Sequence, residues 1–179
     1  MIWNRFLRIV LKPFIEFYRR VRPIKYAKRI GVNIGENPHF YGTTSWGSEP
    51  WIITIGDNVH ITGGCKFITH DGGTLIFRDR VPDLEITKPI IIGNNVYIGE
   101  DSMIMPGVHI GNNVVIGARS VVTKSIPDNS VFAGCPAKFI KTTEEYFNKI
   151  SGESLHLGHL TGKKKDIALR NYYNYHPKK

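Results

Sequence analysis

Histidines, a pair of cysteines, three tryptophans and a few grouped lysines are the side chains in this sequence with chemistry to offer. Imidazole takes or gives a proton near neutral pH, so each His is a candidate base. Of His39, His60, His70, His109, His156, His159 and His176, His70 stands apart. It falls in Ile68-Thr69-His70-Asp71-Gly72-Gly73, where a regular pattern ends and a long excursion begins. At such a point an imidazole can face a cleft; the other reading is a surface His packed beside the loop. Asp71 either helps there or starts the turn ahead of Gly72-Gly73. His60 and His109 each precede an Ile of the pattern and read as exposed corners. Trp46 and Trp51 sit among polar neighbours in Thr44–Trp51. They suit stacking on a sugar ring, or packing under a loop or against a neighbouring subunit. Cys65 and Cys135 are too few for a disulfide framework or a four-cysteine zinc site.

The pattern that positions these residues is a step of six. Ile86, Ile92, Ile98, Ile104, Ile110, Ile116 and Val122 follow one another at that interval. Four residues after each comes Ile90, Val96, Ser102, Val108, Val114, Ser120 and Ile126, all small or β-branched. A period of six is neither helix nor plain strand; it describes short strands joined by tight turns. Gly-Asn-Asn and Gly-Glu-Asp units supply residues that tolerate positive φ. Three steps make one triangular coil, and coils stack as parallel strands about 4.8 Å apart. Ile92 then lies under Ile110, and Ile98 under Ile116. An earlier block, Ile55–Phe67, keeps the same beat, with a fainter trace at Ile34-Gly35 and Phe40. The beat fails between Phe40 and Ile55 and between Phe67 and Ile86, so loops leave the prism at about 41–54 and 71–85. Cys65 takes a small inward position and reads as core.

Three segments carry a family resemblance: Ile92-Gly93-Asn94-Asn95-Val96-Tyr97-Ile98-Gly99, Met105-Pro106-Gly107-Val108 and Val121-Val122-Thr123-Lys124-Ser125-Ile126-Pro127. The closing Ala133-Gly134-Cys135-Pro136-Ala137-Lys138 adds to them. Over about residues 30–141 the chain resembles the hexapeptide-repeat acyltransferases, in the branch of maltose, galactoside and surface-polysaccharide O-acetyltransferases. The resemblance implies a mainly β fold, a left-handed parallel β-helix, assembled as a homotrimer with sites between prisms. It implies acetyl-CoA as co-substrate, a sugar or glycan acceptor, and His70 as general base, with no metal. It places Tyr97, Gly99, Ala118, Thr123, Lys124, Lys138 and Lys141 along the coenzyme A groove, with backbone N–H groups near Gly99 and Ala118 as donors. Asp71, Trp46 and Trp51 are the candidate acceptor contacts.

The 179 residues suffice for one domain with extensions at each end. No apolar run is long enough to span a bilayer, and no secretory signal is expected. The net charge of +9 is uneven. Residues 1–29 hold nine Lys/Arg against Glu16; residues 161–179 hold six against Asp166; the stretch between is net acidic. That excludes a nucleic-acid-binding core, which would carry its own basic face. Residues 1–29 read as a basic amphipathic helix, with Trp3, Phe6, Leu7, Val10, Phe14, Tyr18 and Val21 on one side and Pro13 bending or dividing it. It either packs on the prism or a neighbouring subunit, or lies on a membrane. Residues 142–179 read as a short helix around 143–150 and a basic tail, partly disordered or docked on the body.

The expected function is transfer of acetyl from acetyl-CoA to a sugar hydroxyl, in the cytoplasm or at the inner face of its membrane. Alternatives are N-acetylation of an amino sugar or antibiotic, and a β-helix scaffold or membrane-surface module without chemistry. A zinc enzyme on this fold would need three converging histidines, and no matching pair lies on the repeat.

Overall fold

The computed structural model describes residues 2–176, with side chains from Leu11 onward. Contacts divide the chain into a unit ending at Thr143 and a second unit, Glu144–Lys179.

The first unit opens with two helices, α1 (Ile2–Val21) and α2 (Pro23–Arg29). Pro13 does not divide α1. Trp3, Phe6, Leu7 and Val10 lie outside the residues whose side chains are described. In α2, Ala27 is fully buried, and its carbonyl accepts from the Val32 N–H, so this helix is tied to the prism.

Five coils follow. The first holds β1 (Asn33–Ile34) and β2 (His39–Phe40), then bridges in parallel from Ser45 to Lys66. The second holds β3 (Ile53–Ile55), β4 (His60–Ile61) and β5 (Lys66–Phe67). The third holds β6 (Ile90–Ile92), β7 (Val96–Ile98) and β8 (Met103–Ile104). The fourth holds β9 (His109–Ile110), β10 (Val114–Ile116) and β11 (Val121–Val122). The last places Ile126 beside Ile110, runs through β12 (Ser130–Ala133), and folds back antiparallel as β13 (Lys138–Thr142). The strands stack into three sheets: β1-β3-β6-β9, β2-β4-β7-β10-β12-β13 and β5-β8-β11. This is a triangular parallel β-helix.

Ile92 pairs with Ile110 and Ile98 with Ile116, the register that the six-residue step predicts. Both inward series are buried from Ile90 onward, including Ser102 and Ser120, whose hydroxyls donate to the Gly117 carbonyl. Each face therefore turns two side chains inward per coil. Ile86 is a correction: it is exposed. There the chain pairs antiparallel with the strand end at His70, and Asp71 N–H donates to the Ile86 carbonyl, which holds Ile86 in the base of the loop.

The corners show how the motif works. Asn37, Asn58, Asn95, Asn113 and Asn129 all have φ between 49° and 56° and form one stacked column. Their side chains hydrogen-bond one to the next at 2.8–3.2 Å. So the second Asn of Gly-Asn-Asn carries the left-handed conformation, which Asn tolerates better than other non-glycine residues. The preceding glycine serves close approach instead: a Cβ at Gly93 would lie 2.7 Å from the Gly111 carbonyl oxygen of the next coil.

The second unit contains most of α3 (Thr143–Gly152) and α4 (Gly162–Tyr172). Its Arg170 pairs with Asp166 at 2.8 Å and stacks over Tyr175. Such an i,i+4 pair adds roughly a few tenths of a kcal/mol to a helix.

Candidate active site

His70 occupies the corner between the third and first sheets. Ile68 still follows the ladder, donating its N–H to the Ile104 carbonyl at 2.9 Å. Thr69 is buried; at His70 the chain turns away and bridges Thr87. One coil earlier, the shorter loop leaves the same corner at Gly47, whose φ is 68°. A Cβ there would sit 2.7 Å from the Thr69 hydroxyl, so only glycine lets the two loops approach this closely.

That approach delivers Glu49. Its Oε2 accepts from the Thr69 hydroxyl at 2.5 Å and lies 3.1 Å from His70 Nδ1. The Thr69 hydrogen bond holds the Glu49 carboxyl below the usual range, with a further contribution from His70 and burial opposing both. A carboxylate only accepts, so Nδ1 of the neutral ring carries the hydrogen and Nε2 keeps its lone pair. The ring is half-exposed and borders two clefts. One, of about 280 Å³, is polar and includes Ser48, Glu49, Arg78 and Glu85. The other, of about 350 Å³, includes Ile68, Ile86, Lys88, Met105 and Pro106. An oriented base set between two clefts is an arrangement suited to moving a proton during group transfer.

The remaining candidates fall in three places. Asp71 borders both clefts, but its Oδ1 accepts from the Gly73 N–H at 2.9 Å and caps the 3₁₀ turn Gly72–Phe77. It is a turn-former, and Glu49 is the partner of the ring. Trp46 is a correction: only 4% exposed, it stacks on Phe67 at 4.8 Å and leans on Phe40. It closes the first coil's core and has no face for a sugar. Trp51 is exposed in the short turn Pro50–Ile52, beside Gly31, and does not border the clefts at His70.

Tyr97 is exposed on the outer face of the second sheet. Gly99 begins the corner between the second and third sheets, stacked on Gly117-Ala118. The Gly99 N–H is spent on the Ile116 carbonyl and is not a free donor. Among the described residues no backbone acceptor takes the Ala118 N–H. A Cβ at Gly99 would clash with that nitrogen, so the glycine keeps the amide uncovered. Thr123 and Lys124 follow β11 in the third sheet. Lys138 and Lys141 are on β13, and Ala137 N–H donates to the Val121 carbonyl at 2.8 Å, bringing the 133–138 turn against β11. Met105, which borders the second His70 cleft, donates its N–H to the carbonyl of Val122, the residue before Thr123.

One chain thus does not gather the whole set. His70 and Glu49 are at one corner of the prism; Gly99 and Ala118 are at another, with the third sheet between. His60 is also misplaced by the sequence reading. It belongs to the face of the second sheet, stacked on His39 at 4.4 Å, with Nδ1 2.9 Å from the Tyr41 hydroxyl. Burial, and then His39, lowers its pKa. His109 is exposed in β9. Among the described residues no cluster of three or more His, Cys, Asp or Glu side chains is arranged to hold a metal ion. Glu49 is the residue that sequence reasoning missed. Its signal was an acid in the shorter loop, leaving the prism one coil before His70.

Comparison with known proteins places the repeat among known sequences and structures. The model for bacterial transferase hexapeptide (six repeats) matches residues 89–124. The chain is 44% identical over 164 residues to the protein CapG of Staphylococcus aureus, covering 90% of this chain and 95% of that one. It is 37% identical over 138 residues to the galactoside O-acetyltransferase of Escherichia coli (strain K12), covering 74% of this chain and 66% of that one. A solved structure of galactoside acetyltransferase in complex with coenzyme A superposes with a TM-score of 0.54 at 26% identity, covering 79% of this chain and 82% of that chain.

Proposed function

Since the chain belongs to the hexapeptide-repeat acetyltransferase family, we propose that it moves acetyl from acetyl-CoA to a sugar hydroxyl of a surface-polysaccharide unit: capsule, O-antigen or exopolysaccharide. The single observation that carries the reading is the Glu49–His70 contact of 3.1 Å at the mouth of two clefts.

In this reading Glu49 fixes the tautomer and steadies the ring as it gains charge. His70 Nε2 takes the acceptor's hydroxyl proton as that oxygen adds to the thioester carbonyl. The proton then passes to the departing thiolate, and the ring returns to its starting state. The coils wind left-handed, as in the family. Tyr97 and the uncovered Ala118 amide hold the pantetheine arm beside Gly99; Thr123, Lys124, Lys138 and Lys141 hold the phosphates. Because Ala118 and His70 occupy different corners of one prism, the site forms where two copies meet, and a homotrimer closes three of them. The polar cleft with Ser48 and Arg78 offers contacts to the acceptor; Trp51, outside that cleft, would meet only an acceptor that extends beyond it. The reaction belongs in the cytoplasm, where acetyl-CoA is available.

The test is thiol release from acetyl-CoA with panels of sugars, oligosaccharides, amines and serine. Turnover on hydroxyl acceptors supports the proposal. Turnover confined to amines, or no coenzyme A binding by calorimetry, overturns it.

A further inference from the structure

A separate feature at the other end of the molecule points to a second kind of binding. On α1, Leu11, Phe14, Ile15, Phe17, Tyr18 and Val21 fall on one arc of about 160°, and Lys12, Glu16, Arg19 and Arg20 fill the opposite side. An amphipathic helix normally hides such an arc. Here Phe14 is 69% exposed and Phe17 is 68% exposed. Leu11, Phe14, Ile15 and Tyr18 form one wall of an open groove of about 510 Å³ whose other wall is Tyr26, Arg29 and Ile30 of α2. Because α2 is anchored through Ala27, this apolar surface is held in place on the prism.

Its surroundings have one sign. Residues 1–29 carry nine Lys/Arg and only Glu16, a net charge of +8. No described helix is long and apolar enough to cross a membrane. A second copy of this chain would bring the same cations to the contact and repel them. An anionic bilayer supplies both complements at once: hydrocarbon for the Phe side chains and negative headgroups for the flanking Arg and Lys.

We propose that α1 and α2 form a docking surface for an anionic membrane, with α1 lying in the plane of the interface. The proposal stands apart from the identity of the acetyl acceptor. Full-length protein is sedimented with phosphatidylcholine vesicles, with and without about one-third phosphatidylglycerol. Binding is expected at least about tenfold tighter with the anionic lipid and to weaken as salt is raised. Phe14→Ser with Phe17→Ser should abolish binding while acetyl transfer to a soluble acceptor persists. Lys12→Gln, Arg20→Gln and Arg22→Gln together, all exposed, should weaken it roughly 100-fold and leave the apolar face intact. Equal binding to neutral vesicles, no binding at all, or retained binding by the charge variant overturns the proposal. So does a Phe14/Phe17 variant whose oligomer dissociates, since that assigns the face to contact between copies.

Discussion

Nδ1 of His70 lies 3.1 Å from Oε2 of Glu49, across 21 residues of sequence and one coil of the prism. The same carboxylate oxygen also takes the Thr69 hydroxyl hydrogen, so the side chain that orients the ring is itself fixed. Consequences of this contact and of the coil geometry can each be measured.

Replacing His70 by Ala removes the proposed base and leaves the prism untouched, because the ring packs in no core. Turnover should fall about 10²- to 10⁴-fold. Coenzyme A affinity, read by calorimetry, should stay near wild type. Full activity in the variant would exclude His70 from the chemistry.

Glu49→Gln keeps the shape but loses the charge. It should lower kcat, by at most about 10⁴-fold, the cost of a wrong tautomer in an unrelated Ser-His-Asp triad, with little change in KM for acetyl-CoA. Stability carries a second signature. The Glu49 carboxyl titrates below its ordinary value of 4.5, so it stabilises the fold above that value and loses the effect as pH falls through its lower folded value. In denaturant titrations the wild-type advantage over Glu49→Gln should therefore be full above the ordinary value of 4.5 and shrink as the pH falls below it. A constant advantage would contradict the assignment.

The two tryptophans of the shorter loop should separate cleanly. Trp46→Ala opens a cavity between Phe40 and Phe67 and should cost about 3–5 kcal/mol. Trp51→Ala, at an exposed site, should shift stability by no more than about 0.5 kcal/mol, so any rise in KM for the acceptor would report lost contact rather than unfolding.

The proposed sharing of each site between two copies predicts complementation. His70→Ala lacks the proposed base, and Ala118→Trp blocks the amide at the other corner. Co-refolded in equal amounts, two inactive variants should regain about a quarter of wild-type activity if each site draws these residues from different copies. No recovery would place both in one chain's site.

Asn95 tests the corner column. Asn95→Ala loses its hydrogen bonds with Asn58 and Asn113 and forces Ala to φ near 54°, costing about 2 kcal/mol or more. Asn95→Gly loses the same bonds without the conformational cost and should be milder. Equal losses would show that the left-handed turn contributes nothing.

The architecture was legible in the residues alone because a β-helix is built from local repetition. An aliphatic side chain every six residues can be buried together with its fellows only if the chain turns at the intervening Gly-Asn-Asn units. Ile92, Ile98, Ile110 and Ile116 accordingly stack as their spacing requires. The point where repetition stops marked the loop and put His70 at its edge. What repetition cannot encode is how two excursions meet. Glu49 reaches His70 because Gly47 lets one loop lie against Thr69 of the next coil, a contact between aperiodic segments with no shared period. Trp46 likewise looks like a loop residue by type, yet the first coil runs further than its weak beat suggests and buries it. The separation of His70 from Ala118 is also a tertiary result. Both lie close to the repeat in sequence, and only the triangular winding puts them at different corners.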